Sequence, residues 1–192
     1  METNKLTSNK GNLIEGPLIL KPMIFNDQRG CFYESWNEST FYNEIEEKII
    51  FFQDNHSISE SGVLRGLHYQ IQPFAQGKLV RCISGEIFDV VVDIRKNSPT
   101  FMEWGGINLN HLNKLMLWIP IGFAHGFLSL KDKTEVLYKV SGFYSKVHER
   151  CIRWSDPKID IKWPLQNCLI DKPKLSEKDS IAPFIQDTAI FI

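Results

Sequence analysis

From residue 63 to residue 141 turn signals interrupt the chain so often that only short strands fit between them. Turns fall at Gln72-Pro73, Ser84-Gly85, Asn97-Ser98-Pro99, Asn110 to Asn113, Pro120-Ile121-Gly122 and Lys131-Asp132-Lys133. The segments between them, 63–71, 78–83, 87–94, 104–109, 115–119, 126–130 and 135–141, are rich in β-branched and aromatic residues. Strands at this spacing predict an all-β sandwich or barrel. Strands do not alternate with helices, and no Gly-rich phosphate loop is present, which argues against a doubly wound nucleotide fold.

The densest chemistry lies in 62–95, GVLRGLHYQIQPFAQGKLVRCISGEIFDVVVDIR, which carries Arg65, His68, Gln70, Gln76, Lys78, Arg81, Asp89 and Asp93. Strand residues that face water are polar, but they rarely mix bases, acids and a histidine in this way. The pattern reads as one wall of a pocket. On a regular strand Arg65 and His68 would point to opposite faces. Both reach one cavity only if the strand bulges, and Gly66 is the residue that permits it.

Around this stretch the expectations are plainer. At 192 residues and 43% hydrophobic, the chain can bury the core of one large domain. A net charge of −1 gives no overall field for nucleic acid or an anionic membrane, so any basic site is local. Residues 1–16 are polar and read as a flexible N-terminal arm without a secretory leader, with a single domain over 17–192. Segment 17–23, broken by Pro22, reads as an edge strand, and 26–30 as a hairpin turn with Arg29 at its tip. Residues 39–48 predict the one clear helix, capped by Ser39, with Phe41, Ile45 and Ile49 on one face. A strand at 49–53 follows. Cys31, Cys82, Cys151 and Cys168 form no CxxC pair, which fits reduced thiols in a cytoplasmic protein. No apolar run is long enough to span a bilayer.

Several residues invite a chemical role, each against a plainer one. His68 is a general base or a hydrogen-bonded structural imidazole. Tyr138, in TEVLYKV, is a general acid or a packing ring on a half-buried strand. His125 follows a turn that lets backbone and ring approach a ligand. Asp179, in LSEKD, most simply completes an S-x-x-D cap with Ser176. There are five histidines, but LHYQ has Gln70 where a metal-binding H-x-H pair needs its second ligand, so no metal is expected.

The motifs come in a recognisable order. They are F-x-D-x-RG-x-F-x-ES (25–35), QDNHS (53–57), GVLRGLHYQ (62–70), QGKLVRC (76–82), GEIFDVVVDIR (85–95), SPTF (98–101), LWIPIGFAHGF (117–127) and EVLYK (135–139). Over roughly residues 17–187 the chain resembles the dTDP-4-dehydrorhamnose 3,5-epimerase family. The resemblance implies a mainly β, cupin-like jelly-roll with a few short helices, working as a homodimer without metal or coenzyme. It implies His68 as base, Asp179 as its partner, Tyr138 as acid and Lys78 as stabiliser of the enolate. For substrate binding it implies Arg29, Glu34, Gln53, Asp54, Asn55, Arg65, Lys78, His125, Glu149 and Lys178. Where the family has paired tyrosines near the nucleobase, this chain has Phe143-Tyr144. The implied reaction inverts C3 and C5 of dTDP-4-dehydro-6-deoxy-D-glucose. The alternatives are inversion of a single centre, a metal-dependent cupin oxygenase, and a sugar-nucleotide-binding cupin with no activity.

Overall fold

The run IFDVVVD falls in strand β8 (Glu86–Asp93), where Val90, Val91 and Val92 are all fully buried. Consecutive strand residues point to opposite faces, so three buried in a row require cover on both sides. The structure, a computed structural model describing residues 1–191, supplies that cover. Val91 and Ile87 meet Val80, Val136, Phe123 and Phe127 in a core between two sheets. Val90 and Val92 face away from that core, against Ile152, Ile159, Trp163 and Ile185 of the C-terminal tail.

The two sheets form an antiparallel sandwich. One has the order β1-β2-β10-β7-β12-β5 and the other β13-β6-β11-β8-β9. The strands are β1 (Glu2–Thr7), β2 (Leu13–Lys21), β5 (Gln53–Ser59), β6 (Leu64–Gln70), β7 (Lys78–Ser84), β9 (Trp104–Asn110), β10 (Met116–Ile119), β11 (Phe123–Ser129), β12 (Thr134–Val140) and β13 (Glu149–Cys151). A separate hairpin pairs β3 (Ile24–Asp27) with β4 (Gly30–Tyr33). From β5 onward the chain changes sheet at nearly every turn, as in a jelly-roll, so neighbours in sequence become opposite walls of the interior. The outer face of the six-stranded sheet is sealed by helix α1 (Glu38–Ile45), with Phe41 against Leu20, Leu79, Met116 and Trp118.

Most expected strands are present, and the differences have physical reasons. Residues 1–16 are no loose arm: β1 pairs with β2, and Leu6 and Ile14 enter the core. Apolar residues at alternate positions are enough to order a segment whose other residues are polar. β2 therefore lies inside the sheet, between β1 and β10, and stops before Pro22. The helix is capped by Asn37, whose side chain accepts from the Thr40 amide, and ends at Ile45 because Glu46 is left-handed. The strand expected at 49–53 begins only at Gln53. Gln53, Asn55 and Ser57 are half-buried while Asp54, His56 and Ile58 are exposed, so β5 alternates, but its inner side is polar. The tail contributes β13, paired to β6.

Gly66 behaves as expected. His125 of β11 pairs with His68, and two residues on Phe127 pairs with Arg65, three residues back. β6 thus carries an extra residue at a bulge, with Gly66 at φ +124°. A Cβ there would lie 2.6 Å from the Gly126 Cα and 2.7 Å from the His125 carbonyl oxygen. Gly66→Ala should therefore cost about 2–4 kcal/mol in denaturant unfolding, through both φ and collision. A loss below about 0.5 kcal/mol, the range of a neutral surface change, would contradict a required bulge.

Candidate active site

The bulge turns Arg65 and His68 into one cavity of about 670 Å³ between the sheets. Opposite them the six-stranded sheet contributes Lys78 from β7 and Tyr138 from β12. His125 and Glu149 also line it, as do Ser176, Lys178 and Asp179 around the short helix α2 (Glu177–Ser180). A second lobe of about 290 Å³ shares His68, Lys78, Tyr138 and Glu149 and runs on to Gln53, Asn55, Gln76 and Tyr144.

Asp179 both caps its helix and reaches the imidazole. As a cap residue, its amide donates to the Ser176 hydroxyl at 3.1 Å, and that hydroxyl donates to Oδ2 at 2.9 Å. Its other oxygen, Oδ1, lies 2.5 Å from His68 Nε2. The capping turn therefore fixes the carboxylate that orients the imidazole. With Nε2–H donated to Asp179, the neutral ring keeps its lone pair on Nδ1, free to take a proton. Burial pushes the His68 pKa below its ordinary value against the pull of Asp179, with smaller downward pushes from Lys178 and Lys78. Asp179 is held below the usual carboxylate range by its hydrogen bonds to His68 and Ser176, which overcome burial.

Lys78 sits deep in the cavity, its Nζ donating to the His68 carbonyl at 3.3 Å. Burial lowers its pKa to about 8, with Asp89 and Glu149 opposing. Asp89, fully buried, lies 2.6 Å from His125 Nε2, and its Oδ2 has no partner among the described residues. Burial raises the Tyr138 pKa, so its phenol holds its proton. Glu149 accepts from Lys178 at 2.7 Å and from Tyr144 at 3.1 Å. Asp93 belongs elsewhere: it binds Arg95, Ser98 and Thr100 and secures a loop.

Three residues expected to bind substrate lie outside this cavity. Arg29 is exposed at its hairpin tip, paired with Asp27 at 2.6 Å. Glu34 accepts from the Asn37 side chain at 2.9 Å, before α1. The Asp54 side chain points to the outer face, where Lys139 holds it at 3.0 Å. Strand alternation explains this last case, because Asn55 and Asp54 must face opposite ways. The sequence reading missed Ser57 and Lys174, which line the cavity. Period-2 extension of QDNHS would have found Ser57. Among the described residues, the His/Cys/Asp grouping compact enough to share an ion is His68, Cys151 and Asp179. The 2.5 Å between Nε2 and Oδ1 is a hydrogen-bond length. Two ligands of one tetrahedral zinc stand about 3.3 Å apart, so this geometry suits a proton rather than a metal.

Comparison with known proteins points to one family. The family profile described as dTDP-4-dehydrorhamnose 3,5-epimerase matches residues 12–187. The Shigella flexneri dTDP-4-dehydrorhamnose 3,5-epimerase is 55% identical over 175 residues, covering 91% of this chain and 94% of that one. A Legionella pneumophila dTDP-6-deoxy-D-glucose-3,5-epimerase, solved with dTDP-4-keto-L-rhamnose, superposes with TM-score 0.88 at 41% identity, covering 98% of this chain and 95% of that one. A 3'-monoepimerase from Streptomyces bikiniensis with dTDP-quinovose gives TM-score 0.82 at 33% identity, covering 90% and 85%.

The electrostatics make a direct prediction. Followed by NMR, Lys78 should lose its proton near pH 8, against 10.5 for a free side chain. The His68 ring should stay neutral until the pH falls below its ordinary 6.5. A Lys78 midpoint above 10 would contradict the buried, desolvated amine.

Proposed function

The chain belongs to the dTDP-4-dehydrorhamnose 3,5-epimerase family, and from that premise we propose that it inverts C3 and C5 of dTDP-4-dehydro-6-deoxy-D-glucose. The product is dTDP-4-dehydro-L-rhamnose, in dTDP-L-rhamnose biosynthesis. The observation that carries the reading is the pairing of an Asp-oriented imidazole on one sheet with a protonated phenol on the facing sheet, across one cavity. Binding alone does not require a base opposite an acid.

The sugar's own C4 ketone acidifies the hydrogens at C3 and C5. His68 Nδ1 takes one of them, and the electron pair moves onto O4 as an enolate. The Lys78 ammonium stabilises that charge, and being preorganised in a cavity it does so far better than water could. Tyr138 then donates its proton to the same carbon from the opposite face, which inverts the centre. Exchange with solvent returns His68 and Tyr138 to their starting states. The Arg65 guanidinium is anchored to β5 through Ser59 at 3.1 Å and serves the diphosphate. Glu149, Lys178, His125, Gln53 and Asn55 surround the rest of the ligand. The 55% identity to a double epimerase, against 33% to the 3'-monoepimerase, favours inversion of both centres.

Arg29 and Glu34 fit this reading in a homodimer. Their hairpin and the residue before it expose Met23, Phe25 and Phe32, apolar side chains suited to a second copy's surface. In that arrangement Arg29 completes the partner's diphosphate contacts.

In D₂O, mass analysis should find two solvent deuteriums in the product. One would indicate a mono-epimerase, and none would reject the enzyme. His68→Asn should lower kcat by about 10²–10⁴-fold while dTDP binding and Tm persist; wild-type rates would exclude His68 as the base. Mixing refolded Arg29→Ala and His68→Asn chains should restore about a quarter of wild-type activity if Arg29 serves the partner's cavity. No restoration would place its action in its own chain.

A further inference from the structure

One buried group at the base has no part in the steps above. Cys151, 9% exposed, lies on β13 directly across from His68 in the strand register. Its Sγ is 3.5 Å from Asp179 Oδ1, the oxygen that holds His68 Nε2. The carboxylate therefore collects three side-chain contacts: the imidazole and the thiol on Oδ1, and the Ser176 hydroxyl on Oδ2.

We propose that Cys151 is a positioning residue for the base. Its thiol proton, shared with the oxygen that orients His68, limits how strongly Asp179 can hold a proton on the ring. The inference rests on His68 acting as base. The physical argument is competition for one oxygen. Each donor on a carboxylate stabilises its charge and weakens what remains for another donor. An S–H donor is weak, so it trims the pull of Asp179 without cancelling it. A base needs such moderation, because an imidazole held too firmly protonated has no lone pair to offer at neutral pH. Burial and the Asp179 charge push the Cys151 thiol up to about 12, so Sγ stays a donor throughout the working range.

The other titratable groups around His68 do not duplicate this contact. From α2 come Asp179 and Lys178, from β7 Lys78, from β12 Tyr138, from β11 His125, and from β13 Glu149 beside Cys151 itself. Lys178 is tied to Glu149 and His125 to Asp89, while Lys78 donates to the His68 carbonyl rather than to its ring. Beside His68 and Ser176, Cys151 is the side chain that reaches the Asp179 carboxylate among the described residues.

Two variants test the proposal. Cys151→Ala removes the donor and leaves a small void, whereas Cys151→Val removes the donor and adds a methyl, so the two perturb packing in opposite directions. If the thiol acts as proposed, both should raise the His68 midpoint, read by NMR and as the acid limb of kcat/KM, by about half a pH unit. Tm should answer to the void in Ala and to the crowding in Val, so a midpoint shift shared by both follows the lost donor and not the packing. A midpoint unmoved in both variants, with only Tm responding, would make Cys151 a packing residue and overturn the proposal. Should the wild-type protein fail to epimerise, the functional reading falls, and the NMR titration still decides what the thiol does.

Discussion

The 2.5 Å contact between Asp179 and His68 joins two elements 111 residues apart in the chain. His68 belongs to β6, between β13 and β11 in the five-stranded sheet, and Asp179 to a four-residue helix near the C-terminus. That helix is held by the Ser176 cap beneath it and by the tail's apolar residues, which cover the sheet's outer face. The layer that buries Val90 and Val92 thus also delivers the carboxylate. Asp179 itself is 2% exposed. Removing its partner would strand a buried charge, so packing and dyad support each other.

The jelly-roll supplies the second requirement. Because successive strands alternate between sheets, β6 and β7 face each other although a short loop joins them, and so do β11 and β12. His68 on one wall and Lys78 and Tyr138 on the other therefore flank anything held in the cavity. Inverting a carbon needs proton removal on one face and delivery on the other, and two facing sheets place groups suited to each on opposite sides of one cavity. Burial then favours the neutral form of all three groups, with different results at neutral pH. It keeps His68 and Tyr138 neutral and lowers Lys78 to about 8, where it is still mostly charged.

What the sequence revealed follows from where its signals are physical. The strands of 63–141 were legible because their apolar alternation faces an apolar core, and the Gly66 bulge because Arg65 and His68 could share a cavity in no other way. β5 was displaced because its inner residues, Gln53, Asn55 and Ser57, line a polar cavity and so carry no hydrophobic alternation. The N-terminal hairpin was hidden because Leu6 and Ile14 are sparse among polar neighbours. Asp179 could be read locally only as a cap, since its bond to His68 spans 111 residues. The same limit applied to Asp89, whose pairing with His125 is a matter of register between β8 and β11.

The proposed mechanism depends most on removal and delivery of the proton by separate groups on opposite walls, and Tyr138→Phe in D₂O tests this directly. With His68 intact and the phenol gone, recovered substrate should gain deuterium with its configuration retained while inversion slows by about 10²-fold or more. Loss of exchange and inversion together would mean that Tyr138 is needed to remove the proton, and would contradict the two-walled mechanism.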